Sequence, residues 1–480
     1  MPLMPQNNIM FKKRKLLIVV FCILLVTVLA AVRYNLVRSK IKQYNVILVA
    51  FDGLQAKHLY AEGYSLDTTP NLNKFFETAY LFTNTISPAP WTIPTYISVF
   101  TSMYPSEHKV TNKYVEYDRV NNKIVSANLK QLTPKAITLA EILKKNGYLT
   151  VAFTGDAGAS ASVGNGQGFD TYYDATMFGG FDTAIPLAEK WLEQNKNQKF
   201  FLFLHGYDVH GQYAPANGFD YRYVQKPYTG KYTGSPQEQG QLREVGLAGN
   251  LKMSDEDVKF WRAIYDEKIN RVDEQFGEFM NQIQAMGLDK NTIIILFSDH
   301  GTEFYEHQKF DHGHTLYDEL LNVLLAVHLP EQIQGKKIDS LVSLIDIFPT
   351  VLKLLNIPNP VSNQTKGIDL TPAFSGKDIS RNIFSETDYR LYTHKRSIIT
   401  TDGWKFILTM NGLERELYNL KTDPAEKNNL VDQNPQKAYE LEQLIYEHLK
   451  QMGVDPNSPW ILGCIPVYAT QCQTPTAQTK

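Results

Sequence analysis

Five short apolar runs, rich in β-branched residues, recur along the chain: Asn45–Phe51, Leu149–Phe153, Phe200–Leu204, Thr292–Phe297 and Val323–Val327. A strand with one wet face alternates apolar and polar residues. A run that is apolar at nearly every position is buried on both faces, as in a parallel sheet covered by helices. Helical periods lie between the runs, at Ile137–Lys145, Ala184–Glu193, Asp255–Met286 and Leu341–Leu355. Strands alternating with helices predict an α/β fold, a mostly parallel central sheet flanked by helices. In such folds functional groups gather at the carboxyl ends of the strands. Asp52, His205 and Asp299 fall at or just past such ends.

At 480 residues the chain is long enough for one large or two smaller domains. A net charge of −2 excludes a nucleic-acid surface as the expected partner. Aromatics reach 12%; they suit a glycan or lipid surface, though added core and rim residues are the simpler reading. Leu16–Val32 is an apolar run of 17 residues preceded by Lys12-Lys13-Arg14-Lys15. That is near the ~20 residues of a bilayer-spanning helix. An uncleaved anchor is favoured over a cleaved signal peptide, because Val32-Arg33-Tyr34 is a poor continuation of a cleavage site. The expected layout is residues 1–43 as tail, single-pass membrane helix and stalk, 44–375 as an extracytoplasmic catalytic domain, and 376–480 as a small α+β subdomain. In that subdomain, Lys395–Leu408 reads as two strands around a Thr-Asp-Gly turn, and Ala438–Met452 as an amphipathic helix. Cys464 and Cys472 fit a disulfide on an export route, or two free thiols. Ala214–Lys252 lacks periodicity and reads as a long loop or lid.

Four of the 11 histidines, His300, His307, His312 and His314, crowd into one short stretch that opens with Asp299. Carboxylates supply charge and imidazoles supply direction, so Asp299-His300 and Asp311-His312-Gly-His314 suit a divalent metal. Asp208 and His210 follow another apolar strand and suit metal or substrate. Thr92 precedes Pro94 at the start of a helical pattern. It suits an N-cap, or a hydroxyl aimed by a helix N-terminus at an anion.

The order of these motifs resembles the sulfatase branch of the alkaline-phosphatase superfamily, from about Asn45 to Leu430. The opening strand ends in Asp52-Gly53. Thr69-Pro-Asn-Leu-Asn73, Phe82-Thr-Asn84, Phe100-Thr-Ser-Met-Tyr-Pro105-Ser-Glu-His108, Gly168-Phe-Asp170, Ser298-Asp299-His300-Gly301 and Glu416-Leu-Tyr-Asn-Leu420 are similar to the family's elements and follow in its order. Four positions depart from a sulfatase. Thr92 stands where a cysteine or serine would be oxidised to formylglycine, and Tyr96 replaces an arginine. Gly53 replaces a second aspartate. No lysine or histidine lies between Phe153 and Gly168.

The resemblance implies one or two divalent ions, with zinc or manganese favoured and calcium the alternative. The first would sit on Asp52, Thr92, Asp299 and His300, and the second on His210 with His312 or His314. Asp208 and Tyr96 are expected at the substrate. The implied activity is hydrolysis of phosphate mono- or diesters by a Thr92 nucleophile, on a glycan or lipid headgroup. The alternatives are a sulfuric ester hydrolase, a phosphoethanolamine- or glycerophosphate-type transferase, and a surface binding protein that has lost catalysis.

Overall fold

The computed structural model describes residues 44–111, 131–155, 158–176, 178–211, 221–389, 393–410, 414–458 and 461, with the backbone of 116–118 and 123–126. The proposed membrane run and the cysteines at 22, 464 and 472 lie outside these residues. Among the described residues no helix is long and apolar enough to cross a membrane.

Eight strands form the central sheet, in the order Lys336–Ile338, Tyr80–Phe82, Leu325–His328, Thr292–Ser298, Asn45–Phe51, Phe200–Gly206, Leu149–Phe153, Thr171–Tyr173. Every pairing is parallel except the two made by Leu325–His328. The fifth apolar run is therefore an antiparallel strand, and the sheet is mixed though mostly parallel. Asn45–Phe51, Phe200–Gly206 and Thr292–Ser298 are buried at every residue, as their composition requires. Alternate side chains serve opposite layers. Leu202 and Leu204 join the core beneath the long helix Asp255–Ala285. Phe203 meets Tyr96 and Phe100 of the helix Thr92–Thr101 edge-on, at 5.6 and 5.0 Å.

Register places the chemistry. Phe51 pairs with both Ser298 and Gly206, so Asp52 and Asp299 leave neighbouring strands side by side. His205 pairs with Ala50, one step inside the sheet.

Two expectations need correction. Leu341–Leu355 is not one helix: it is a short strand, Val342–Ser343, a 3-10 turn, Leu344–Asp346, and the helix Ile347–Leu354. The Asp346 carboxylate causes the break. It accepts from the N–H groups of Ser343 and Ile368 at 2.9 and 2.7 Å and pairs with Arg381. The segment Ala214–Lys252 is not all loop. It contains the helix Pro236–Leu247, started by a capping box in which Ser235 Oγ accepts from the Glu238 N–H and the Glu238 carboxylate accepts from the Ser235 N–H. Gly240 and Gly246 inside the helix blur its period in the sequence.

The C-terminal subdomain is a four-stranded antiparallel sheet, Ile383–Thr387, Lys395–Ile399, Trp404–Thr409, Glu414–Asn419, covered by the helix Pro435–Gln451. The turn at Thr401-Asp-Gly403 forms as expected, with Gly403 at φ +89°. The first strand of this sheet grips the catalytic body. Glu386 N–H donates to the Pro88 carbonyl, Ser385 Oγ to the Ser87 carbonyl and Thr387 Oγ1 to the Gly313 carbonyl.

Beside this seam, Arg396 and His394 meet the buried Asp388 carboxylate at 2.8 and 3.0 Å. Burial alone would raise the Asp388 pKa, but the Arg396 and His394 partners outweigh it and hold the carboxyl below its usual range. A depressed pKa stabilises the fold above the ordinary carboxylate value of ~4 and loses that contribution as pH falls below it. Asp388→Asn is expected to destabilise the fold at pH 7 by about 3 kcal/mol, because it removes the nearer of the two carboxylates that balance the buried Arg396 and leaves Glu386 at 3.7 Å. Urea unfolding at pH 7 and pH 3 checks this; the gap between parent and variant should narrow at the lower pH.

Candidate active site

Asp52 and Asp299 each use one carboxylate oxygen on the protein and leave the other free. Asp299 Oδ1 accepts from the N–H groups of Gly53 and His300, both at 3.0 Å. Asp52 Oδ2 lies 3.1 Å from His205 Nε2. Asp52 Oδ1 and Asp299 Oδ2 are buried with no hydrogen-bond partner. His300 Nδ1 lies 2.7 Å from the Gly301 carbonyl. That acceptor places the proton on Nδ1 and turns the Nε2 lone pair inward. Nε2 then sits 3.4 Å from Asp52 Oδ1, 3.5 Å from Asp299 Oδ2 and 3.2 Å from Thr92 Oγ1. Buried acceptors facing one another without donors are costly unless a cation joins them. This donor set, two carboxylates, an imidazole and a hydroxyl, therefore fits a divalent ion, and mixed nitrogen and oxygen ligands fit zinc or manganese.

Unless a cation joins them, the charge of the two carboxylates draws a second proton onto His300 Nε2, which a bound cation would displace. Burial and the neighbouring Asp52 charge push Asp299 up to about 6. Burial lowers the His300 pKa, but Asp299 and Asp52 outweigh it and raise it to about 9. Asp52 is held below the ordinary range: burial opposes ionisation, and His210, His205 and His300 more than offset it.

Thr92 is the first residue of its helix. Trp91, with extended backbone at φ −165° and ψ 162°, is the N-cap, so the Thr92 hydroxyl is not taken up in capping. It is left facing His300 at the amino end of a ten-residue helix, where backbone N–H groups favour an anion.

A second group, His210, His300 and His312, overlaps the first through His300. His210 Nε2 lies 3.3 Å from His312 Nε2, and the His300 and His312 rings stack at 4.4 Å. Burial lowers the pKa of His210 to about 3 and lowers that of His312 as well. Neutral imidazoles that converge in this way suit a second ion.

Three expected site residues lie elsewhere. His314 turns away: Nε2 meets Glu303 at 3.2 Å and Nδ1 meets the His312 carbonyl. His312 is thus the member of the pair that joins His210. Asp208 caps the helix Phe181–Asn195, accepting from the Phe181 N–H at 2.8 Å, with Gly180 and Gly206 leaving room for nothing larger. Tyr96 is fully buried, its ring edge-on to His205 at 5.3 Å. It supports the site from below instead of meeting substrate. His307 completes a brace, with Nδ1 2.5 Å from Glu319 and Nε2 3.0 Å from the Glu426 carbonyl. The site member that sequence reasoning missed is His205; its strand-end position was visible, but its contact with Asp52 depends on register.

Gly53 explains the lost second aspartate. Its φ is +73°, and a Cβ there would come within 3.2 Å of the His210 Cα. The positive φ strains any other residue there, and the His210 backbone would have to give way to admit a side chain.

The sulfatase family profile matches residues 44–357, and the C-terminal profile of N-sulphoglucosamine sulphohydrolase matches 305–455. The chain belongs to the sulfatase family. It is a hydrolase of that superfamily. A Formosa agariphila protein named sulfatase is 25% identical over 441 residues, covering 81% of this chain and 83% of the relative. A protein solved with its substrate D-glucosamine-2-N,6-O-disulfate superposes with a TM-score of 0.69 at 20% identity, covering 87% of this chain and 99% of that one. The phosphonate monoester hydrolase of Agrobacterium radiobacter superposes at 0.66 with 19% identity, covering 86% and 95%. Both superpositions show a shared fold.

Gly53→Asp, the reversion toward the two-aspartate pattern, is expected to lower stability by roughly 1–3 kcal/mol through backbone strain and to displace His210. Thermal melts and calcium titration check this: the variant should melt lower and gain no calcium site.

Proposed function

We propose that this sulfatase-family protein is a metal-dependent hydrolase that opens an anionic ester, of the phosphate mono- or diester class, with Thr92 as nucleophile. The observation that carries it is the Thr92 hydroxyl 3.2 Å from His300 Nε2, beside two partnerless carboxylate oxygens. Asp52, Asp299, His300 and Thr92 would hold one ion, and His210 and His312 a second. A divalent ion there lowers the pKa of a hydroxyl and offsets charge on the ester oxygens, worth several kcal/mol of barrier. The helix N-terminus under Thr92 orients the anionic group for attack in line with the leaving oxygen. The hydroxyl oxygen then bonds to phosphorus, the alcohol leaves, and water releases the group from Thr92. Threonine needs no oxidation before use, unlike the residue this position holds in a sulfatase.

A second reading, a sulfuric ester hydrolase, is better supported by the comparisons: the Formosa agariphila relative is named a sulfatase, and one solved neighbour holds a sulfated sugar as substrate. The residue at 92 supports the first reading, and the phosphonate hydrolase neighbour shares its fold. For either, a glycan or lipid headgroup is the proposed carrier. Anchoring through 16–32, with the catalytic body outside the cytoplasm, rests on residue pattern alone; carbonate extraction of membranes tests it.

A panel of aryl phosphate, phosphodiester, phosphonate and sulfate esters, each with zinc, manganese or calcium, decides between the readings. Phosphorus esters turned over faster than sulfates support the first; the reverse order overturns it. Thr92→Ala is expected to lower kcat by at least ~10³-fold with an unchanged melt. Chelation should abolish turnover, and zinc or manganese should restore it.

A further inference from the structure

The helix Pro236–Leu247 belongs to the segment that reads as a lid, yet it touches the segments that carry the histidine group. The buried Gln239 side chain lies against Gly211, the residue after His210; a Cβ on Gly211 would come within 2.1 Å of its Nε2. Gly246 lies against the backbone of Lys309 and Phe310, each 3.3 Å from the position of a Cβ. Between these two points, Arg243 Nη1 donates to Asp311 Oδ2 at 3.3 Å. Asp311 Oδ1 in turn lies 2.5 Å from His312 Nδ1. That last contact does not meet hydrogen-bond geometry, so it is an electrostatic tie between adjacent side chains.

Asp311 is 1% exposed and sits at φ +79°, in the left-handed region that non-glycine residues avoid. Tyr305 and Gln308 in the same hairpin also have positive φ, at +74° and +61°. Strain of this kind persists only where the surroundings over-determine it. The folded-back backbone brings the Asp311 carboxylate onto the Nδ1 side of His312, which leaves Nε2 facing His210. A carboxylate charge held against one ring nitrogen favours the proton on that nitrogen and leaves the other nitrogen as the ligand, even where the contact is electrostatic and not an aligned hydrogen bond. A carboxylate this deeply buried also needs a cation of its own, and Arg243 supplies it.

We propose that Arg243 is a positioning residue for the ion held by His210 and His312: through Asp311 it fixes the direction of His312, and its helix clamps the two histidine-bearing segments together. The insertion thereby bears on the histidine side of the site, and none of its contacts named above reaches Asp52 or Asp299, the carboxylates of the other ion. This inference rests on the two-ion reading of the site.

The test is zinc titration of ion-free protein by calorimetry, with bound ions counted by mass spectrometry of the intact chain. The parent is expected to bind two ions. Arg243→Ala should keep the first at parental affinity and weaken the second by ~10–100-fold. Arg243→Lys should recover part of the loss, because a point charge replaces the guanidinium at Asp311. Asp311→Asn, nearly isosteric, should show the same selective weakening, which keeps the test open if Arg243→Ala does not fold. Both ions bound by Arg243→Ala at parental affinity overturns the proposal. Loss of both ions together makes Arg243 a general support and overturns it too; a lower melt of the ion-free variant with the first ion retained is the expected cost of leaving Asp311 without its cation. A parent that binds fewer than two ions defeats the two-ion reading itself, a result distinct from either.

Discussion

Two like charges held side by side in a dry interior set the terms for everything around them. Parallel register makes Asp52 and Asp299 neighbours, because Phe51 and Ser298 pair at the ends of adjacent buried strands. Each aspartate keeps one oxygen for backbone N–H or imidazole partners and exposes the other to its rival. Such an arrangement is unfavourable without a cation. The sheet can hold it because the strands beneath are apolar throughout and pack into a core on one face and against the helix Thr92–Thr101 on the other. The fold thus supplies a rigid frame for a local arrangement that is unstable by itself, a common division of labour at catalytic centres.

The two histidine-rich regions then have different duties. Near His312 the hairpin Glu303–Asp311 is strained and bound from outside by a helix. Near His307 the same hairpin forms a brace, with both imidazole nitrogens facing protein acceptors. This difference separates His312, whose Nε2 faces another imidazole, from His314, whose nitrogens are taken by Glu303 and a carbonyl. Composition could mark the stretch as metal-like, but not divide it.

Much of the fold was legible because its causes are local. Apolar runs without alternation named the central strands. Asp52 and Asp299 lie at strand ends, as read from the residues alone, because the apolar runs mark where the strands stop. What escaped has non-local causes. Leu325–His328 runs antiparallel, and direction depends on connections and not on composition. The helix Pro236–Leu247 was hidden by its glycines, although Ser235 and Glu238 gave the capping signal. Asp208 looked like a site residue by its neighbours in sequence, whereas its carboxylate is committed to a helix amino end 27 positions earlier. His205 and Asp311 act through partners that only register and backbone folding bring near.

The brace at His307 has a consequence for how the molecule can be divided. Its Nε2 reaches the carbonyl of Glu426, whose carboxylate pairs with the buried Lys405 and accepts from the Asp318 N–H. The segment around Glu426 therefore acts as a buttress behind the hairpin Glu303–Asp311. Trimming the protein back to its large sheet would take away the wall against which the histidine-rich hairpin leans.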